Sequence, residues 1–338
     1  MRFTDSLAEA QAPRSDNLLL LYADPAYVVS PNFDPTPFYQ RFRQFTAQFP
    51  EFPRDVKSLA ETLWMWLCVA PDTEEDRAFL SVLESVLIYL FDDCFEEIIQ
   101  QPQLEALGEL FVSTTRDLTA GRIREWDSTR FIAAGASRLL AHNMNVRLAI
   151  IQSIVDIQKQ LMSPKLYAHC SHMHYEMFDR FHKEAAHWKH LRENDLFATD
   201  QEYYDVKNFV CGLTMCVLPL VQDDEIQYWN YEHGLLTLSS VHTALRNLIW
   251  SWSKELEDRD PFNPIRREMA AGTSGLEATR HVIRQTNQQL SNMQAAMDKM
   301  DEHERASVAK SVMYGHGFYT YYTEHPRYGW EVVDEVIE

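Results

Sequence analysis

The sequence predicts an all-α protein, a helical bundle with one large core. Apolar residues recur with the 3.6-residue period of a helix along most of the chain beyond about residue 30. No alternating pattern of useful length competes as a strand, and no internal repeat is evident. Hydrophobic residues make up 46% of the 338 residues, which is enough for a large core.

The composition also predicts how the chain is organised. Only 10 residues are glycine, and no stretch is rich in Gly, Ser or Pro as an interdomain linker would be. Residues 1–30 show no lasting period. We therefore expect a loosely structured segment over residues 1–30 and a single α-helical domain over residues 31–338.

The expected helices follow one another with prolines near the gaps between them. They cover about residues 35–48, 55–69, 75–100, 128–141, 145–161, 165–190, 200–220, 234–257, 272–300 and 303–324. The prolines at the gaps are Pro71, Pro102, Pro164, Pro261 and Pro326. The stretch from Leu80 to Leu90 is apolar on nearly every side, which is typical of a helix in the centre of a bundle.

The charge and cysteine content exclude several classes of protein. A net charge of −19 argues against nucleic acid as a partner, because phosphate backbones attract Lys and Arg. An anionic substrate would instead need bound divalent cations. Five cysteines without framework spacing do not indicate a disulfide-bonded secreted domain. No signal peptide opens the chain and no apolar run could cross a bilayer, so we expect a cytoplasmic protein without membrane insertion.

The first group of candidate ligands comes directly after the apolar helix, in the run Asp92-Asp93-Cys94-Phe95-Glu96-Glu97. Asp92 and Glu96 are four residues apart and share a helix face. Carboxylates this close repel one another unless they are solvated or hold a hard cation such as Mg²⁺. A solvated acidic helix end is the simpler interpretation of this run alone.

The second group lies 155 residues later, where Asn247, Ser251 and Glu255 are spaced by four and four. Steps of four place all three on one stripe of a helix, and their amide, hydroxyl and carboxylate oxygens suit one divalent cation. Lys254 lies beside this stripe, within reach of a phosphate. An ordinary polar surface stripe is the alternative, but the neighbouring tryptophans indicate a largely buried helix.

Taken together, the motifs resemble those of the class I terpene synthases. Asp92-Asp93-x-x-Glu96 is similar to the aspartate-rich motif of that family, and Asn247-x-x-x-Ser251-x-x-Lys254-Glu255 is similar to its second metal motif. Arg327-Tyr328 resembles its diphosphate-sensing pair. The motifs come in the order of the family, and the resemblance covers about residues 55–330.

Within the family, the run from Tyr314-Gly315 to Arg327-Tyr328 is most similar to the trichodiene-synthase branch of fungal sesquiterpene cyclases. Two positions depart from the family pattern. Leu248 stands where Asp is common, and the family places a sensor Arg at a helix break where this chain has Lys207 and, beyond it, Cys211-Gly212.

The resemblance implies a single-domain terpene synthase bundle around a central apolar cavity, and a set of roles for the matching residues. Three Mg²⁺ ions, with Mn²⁺ as the alternative cation, would bind with the substrate diphosphate. The implied metal ligands are Asp92, Glu96, Asn247, Ser251 and Glu255. The implied diphosphate ligands are Arg327, Tyr328, Lys254 and Lys207, and the implied helix break is Cys211-Gly212.

The implied reaction is the ionisation of farnesyl diphosphate and cyclisation of the carbocation to a sesquiterpene hydrocarbon or alcohol. Aromatic faces stabilise passing positive charge. The candidates by helical phase are Tyr89, Phe91, Tyr314, Phe318 and Tyr321, for each of which core packing is the alternative role. The resemblance is also compatible with a homodimer.

Three other functions are the alternatives to this one. A prenyl-chain elongating transferase shares the fold and metals, but it requires a second aspartate-rich motif. Asp223-Asp224-Glu225 lacks the DDxxD spacing of such a motif. A non-catalytic helical interaction protein is the alternative of another class. A Ser-His-Asp hydrolase lacks the Gly-x-Ser-x-Gly turn.

A transition-metal site was considered at His169-Cys170-Ser-His172-Met-His174. His169 and His172 share one helix face, whereas Cys170 and His174 share another. No single face collects three zinc ligands, so we expect these histidines on a polar face.

Overall fold

The computed structural model describes residues 36–54, 56–57, 74–99, 104–210, 212–250 and 259–322. All regular structure in these ranges is helical, which confirms the all-α prediction. The α-helices are α1 (Thr36–Thr46), α2 (Glu75–Ile99), α3 (Leu104–Thr119), α4 (Thr129–Ala133), α5 (Arg138–Leu161), α6 (Pro164–Glu193), α7 (Asp200–Val210), α8 (Leu213–Val217), α9 (Gly234–Trp250), α10 (Pro264–Ala270), α11 (Gly275–Met297) and α12 (Glu302–Tyr322). Short 3₁₀ turns cover Leu218–Leu220 and Ile226–Tyr228.

Two helices were not predicted from the sequence. Helix α3 contains Gly108 and several Ser, Thr and Val residues, which weaken the local helical signal. Helix α10 begins with the cap Asn263, whose side chain accepts a hydrogen bond from the backbone N–H of Arg266, and with Pro264 in the first turn. It is only seven residues long, too short for a clear period.

The prediction of one continuous helix is wrong for two stretches of the chain. The stretch 128–141 contains two helices, because Gly135 has φ 104 and ends α4, whereas Ser137 caps α5 by accepting a hydrogen bond from the backbone N–H of Leu140. The stretch 200–220 is likewise divided: α7 ends at Val210 and α8 begins at Leu213. The predicted helix 55–69 lies almost wholly outside the described residues.

The chain forms two compact units. The first consists of the described parts of residues 29–186 and 214–230. Within it α2 packs against α3 and α5, and the α1 rings of Phe38 and Phe45 contact Phe79 of α2 with centroids 6.0 and 6.5 Å apart. Its core is therefore built around the apolar helix that the sequence indicated.

The second unit consists of the described parts of residues 187–213 and 231–322. Helix α9 packs against α7, α11 and α12 within it. Val241, Leu245 and Leu248 of α9 join Val282 and Ile283 of α11 in one apolar cluster. None of the helices searched among the described residues is both long and apolar enough to cross a membrane.

Candidate metal centre

Helix α2 carries the acidic motif at its C-terminal end. From Ala78 to Phe91 every residue is buried except Tyr89, which is half-buried. Asp92 and Asp93 are the first acidic side chains to emerge from this buried stretch, and both are partly exposed. The burial of the helix therefore fixes where its carboxylates reach the surface.

The four acidic side chains of the motif point in two directions. Glu97 accepts a hydrogen bond from the Arg147 guanidinium at 2.7 Å and another from Asn143 at 3.3 Å. Burial alone would lower the pKa of Arg147, but the negative charge that Cys94, Glu97 and Asp93 can carry outweighs it and raises that pKa. Asp93 and Glu97 therefore neutralise a buried guanidinium of α5.

Asp92 and Glu96 occupy the neighbouring face of α2. One residue turns a helix by about 100°, so this pair is rotated by that angle from the pair that faces Arg147. Both side chains are partly exposed. Oxygen donors on an accessible helix face fit a hard cation such as Mg²⁺, which keeps waters and phosphate oxygens in its shell.

Cys94 lies in the middle of the motif but is not a suitable ligand. Its side chain is fully buried, and burial raises the pKa of its thiol to about 12. A metal binds the thiolate, so a thiol that stays protonated at neutral pH contributes packing instead.

The segment that follows the break between α7 and α8 packs onto α2 below the acidic motif. Gly212 has φ 68, a left-handed conformation that costs glycine little. Four residues later, the Cys216 carbonyl accepts a hydrogen bond from Ser81 Oγ at 2.5 Å, and Cys216 Sγ lies 3.2 Å from Ser85 Oγ. By helical phase, Ser81 and Ser85 lie on the stripe of Tyr89, Asp92 and Glu96. Cys211, the other residue of the predicted break, lies outside the described residues.

The second predicted motif is described only at its start. Asn247 lies one turn from the end of α9 and is half-buried, while the adjacent Leu248 is 3% exposed in the apolar cluster. The other predicted ligands, Ser251, Lys254, Glu255, Arg327 and Tyr328, lie outside the described residues.

Lys207 lies on α7, which packs against α9. The two helices run antiparallel: the Ala198 N–H before α7 donates to the Pro261 carbonyl after α9, and Asn208 Nδ2 donates to the Tyr231 carbonyl before α9. The Lys207 ammonium is 6.0 Å from the centroid of the Phe262 ring. The sequence alone could not place it on this neighbour of the second motif.

The predicted aromatic wall is described in part. Phe91 is fully buried and packs among four rings, with the centroid of Phe178 at 4.3 Å and those of Phe95, Phe111 and Phe181 at 5.3–5.5 Å. These are the contacts of an aromatic core. Tyr314, Phe318 and Tyr321 lie on α12, and their side chains are outside what the structure describes.

A buried polar cluster was missed from the sequence. Glu84, fully buried on α2, accepts hydrogen bonds from Gln158 of α5 at 2.6 Å and from the Cys170 thiol at 3.1 Å, and its second oxygen is 2.9 Å from His174 Nε2. The expectation of a polar face is therefore wrong for His174, which is 1% exposed, although His172 is exposed.

The ligand atoms of Glu84, Cys170 and His174 lie within 4.8 Å of one another. Spacing on one helix could reveal only two of these three groups, because Glu84 comes from another helix. Burial, reinforced by Glu84, holds the pKa of the Cys170 thiol well above its usual range. Hydrogen bonds within the cluster satisfy its polar groups, so we assign it the structural role of tying α2 to α5 and α6.

Comparison with protein families places this geometry in context. Residues 85–292, more than half of the chain, match the family model described as terpene synthase family 2, C-terminal metal binding. That span includes both predicted metal motifs. A comparison with curated protein sequences finds no match.

Solved structures share the fold at low sequence identity. The 2-methylisoborneol synthase from Streptomyces coelicolor A3(2) is 15% identical, with a TM-score of 0.63 over 92% of this chain and 99% of that one. Germacradien-4-ol synthase from Streptomyces citricolor is 14% identical, with a TM-score of 0.56 over 86% and 91%. Abietadiene synthase from Abies grandis has a TM-score of 0.64 at 14% identity, over 83% of this chain and 36% of that one. The narrower placement in a trichodiene-synthase-like fungal branch stays a prediction.

Proposed function

We propose that this chain, which belongs to the class I terpene synthases, ionises an isoprenyl diphosphate in the presence of Mg²⁺ and cyclises the resulting carbocation. The observation that carries this proposal is that the four acidic residues at the end of α2 lie on two different faces of the helix. Asp93 and Glu97 serve Arg147, whereas Asp92 and Glu96 present carboxylates on the adjacent, accessible face.

The chain supplies ligands for cations and for the diphosphate. Asp92 and Glu96 would hold cations from α2, and Asn247, Ser251 and Glu255 would hold another from α9 and the residues after it. Arg327, Tyr328, Lys254 and Lys207 would donate hydrogen bonds to the diphosphate oxygens. Divalent cations, when bound, act as Lewis acids and as a template for the leaving group.

The remaining residues protect the cation. No side chain needs to attack it, since a nucleophile would only trap it. Apolar side chains exclude water, and the rings of Tyr89, Tyr314, Phe318 and Tyr321 would face the passing charge. Phe91, already surrounded by rings, would support this wall from behind.

Farnesyl diphosphate is the substrate we favour, with a sesquiterpene as product. Two of the similar solved structures support an isoprenyl diphosphate as substrate. The 2-methylisoborneol synthase was solved with Mg²⁺ and geranyl-S-thiolodiphosphate, and linalool/nerolidol synthase from Streptomyces clavuligerus with 2-fluorogeranyl diphosphate. The preference for fifteen carbons rests on the family resemblance of the motifs.

The test is incubation of the purified protein with ten-, fifteen- and twenty-carbon diphosphates and MgCl₂, followed by mass spectrometry of volatile products and assay of released diphosphate. We expect cyclic products from farnesyl diphosphate and no turnover in excess chelator. Chain elongation after addition of isopentenyl diphosphate would favour the transferase instead. Absence of diphosphate release from every substrate would favour a non-catalytic helical protein.

A further inference from the structure

Helix α9 has two buried faces of opposite character. Val241, Leu245 and Leu248 form its apolar face and are at most 4% exposed in the cluster with α11. The other face carries Ser240 and Thr243, which are 0% and 6% exposed. Hydroxyl-bearing residues are mostly exposed in proteins, so a buried polar face calls for a partner.

This polar face is continuous with the second metal motif. The steps from Ser240 to Thr243 and from Thr243 to Asn247 are three and four residues, which keep all three within about 60° of one another around the helix. Thr243 and Ser240 therefore lie about one and two turns below Asn247 on the same stripe.

The hydroxyl groups of Ser240 and Thr243 have no hydrogen-bond partner in the described part of the chain. Such groups commonly donate back to the carbonyl four residues earlier. On the neighbouring helix α11, Thr279 and Thr286 do so, each at 2.8 Å. The two α9 hydroxyls thus differ from buried threonines elsewhere in the same unit.

Helix α7, which packs against α9, carries another buried polar group, near the start of α9. Asn208 is 9% exposed, and its Nδ2 donates to the Tyr231 carbonyl at 2.9 Å, which fixes the orientation of the amide. Its Oδ1 has no hydrogen-bond partner within the described residues. Buried water typically makes about three hydrogen bonds to polar groups that would otherwise lack a partner.

We infer that Ser240 and Thr243 hold a water molecule below the metal motif, and that this water captures the carbocation to give a terpene alcohol. The inference rests on the proposed function and specifies its product class. A cavity wall made only of apolar side chains would favour proton loss and a hydrocarbon product. A stripe of hydroxyl groups on the same face as the metal motif can instead bind a water molecule.

The step balances without any further reactant. A lone pair of the water oxygen forms the C–O bond to the cationic carbon, and the protonated alcohol then loses one proton. The released diphosphate is the base that the reaction itself supplies, and it takes that proton. The sum is isoprenyl diphosphate plus water giving terpene alcohol plus protonated diphosphate.

The test is product analysis in ¹⁸O-labelled water with farnesyl diphosphate and MgCl₂, run on the full chain. The measured quantity is the alcohol share of total product, which does not depend on the turnover rate. The parent protein should give an alcohol carrying one ¹⁸O atom. Ser240→Ala combined with Thr243→Val should lower the alcohol share by about fivefold or more, because the water loses its donors and acceptors.

Matched controls separate water binding from packing. Thr279→Val removes a hydroxyl at the same 6% exposure as Thr243, and Ser311→Ala removes one at the same 0% exposure as Ser240. Both control hydroxyls are satisfied by backbone carbonyls, so both variants should keep the parental alcohol share. Thr243→Ser, which keeps a hydroxyl, should retain most of it.

Each outcome decides a different question. Turnover of farnesyl diphosphate to hydrocarbons alone, or an alcohol share that is unchanged in the double variant, overturns the water site and leaves the proposed function standing. No diphosphate release from any substrate overturns the proposed function and this inference with it. If the double variant does not fold, the comparison of Thr243→Val with Thr243→Ser decides.

Discussion

Neighbouring acids at the end of α2 lie on different faces of the helix because the helix turns between them. Glu97 is bound by Arg147, and Asp93 contributes to the same charge cluster. Asp92 and Glu96 are rotated by about 100° around the helix from that pair. The sequence predicts this pairing of Asp92 with Glu96 from spacing alone, but it could not identify Arg147, which lies on α5, as the reason for the other pair.

Substitutions in the two pairs should therefore fail in different ways. Asp92→Asn should abolish or severely reduce turnover, because it removes a proposed cation ligand. Glu97→Gln should lower the free energy of unfolding by about 1–3 kcal/mol, because it weakens the charged hydrogen bond to a buried arginine. Urea unfolding and steady-state turnover measure the two effects. The same pattern in both variants would contradict the separate roles.

Cys94 gives the protein a pH-dependent stability. The pKa of its thiol rises from 9.0 to about 12 in the folded chain because the side chain is buried. Below pH 9 both states keep the proton, so the thiol adds no pH dependence. Above it the unfolded chain loses the proton first, and stability falls by up to about 1.4 kcal/mol per pH unit. Cys94→Ala should show a smaller loss between pH 9 and 10.5 in urea unfolding, and an identical slope in both proteins would refute this.

At the scale of elements, the helix prediction failed where contacts between helices, rather than the local sequence, stabilise the helix. Helix α3 contains several residues of weak helix propensity, yet it packs against α2 and α5. Its Gly108 allows close approach to α6, since a Cβ there would lie 3.1 Å from His182 Nδ1. The long helices α2, α6 and α11 were predicted to within a few residues because their apolar residues recur over many turns.

The break between α7 and α8 should depend on glycine. Gly212→Ala places a Cβ in the left-handed region at φ 68 and should cost about 1–2 kcal/mol of stability. It should also reduce turnover, because the segment after the break is bonded to α2 below the acidic motif. Thermal unfolding and turnover are the measurements.

Two other glycines serve as controls for this prediction. Gly272 has φ 98 and open space around its Cβ position, so Gly272→Ala should be destabilised by strain while keeping its turnover per folded molecule. Gly234 begins α9 with nothing within 4 Å, and Gly234→Ala should be neutral or stabilised by about 0.5–1 kcal/mol. If Gly212→Ala and Gly272→Ala had equal turnover per folded molecule, the prediction that the break supports the proposed site would be wrong.

At the scale of the whole molecule, the net charge of −19 opposes the binding of an anionic diphosphate. The carboxylates of the two motifs offer a solution only if cations and diphosphate bind together, since each neutralises the charge that would repel the other. Of the predicted ligands in the second motif, the structure describes Asn247 alone. This coupling is therefore a prediction of the sequence motifs and of the family, and a binding experiment can test it.

The experiment measures thermal unfolding with MgCl₂, inorganic diphosphate, or both. Ligands that bind only the folded state stabilise it by RT ln(1 + [L]/Kd), about 2.7 kcal/mol at a hundredfold excess over Kd. The two ligands together should raise the unfolding temperature by about 5 °C, and each alone by much less. Asp92→Asn should lose most of the joint shift, whereas Glu97→Gln should unfold at a lower temperature and keep it. A full shift with diphosphate alone would show that the protein binds the anion through its own cationic residues, without metal.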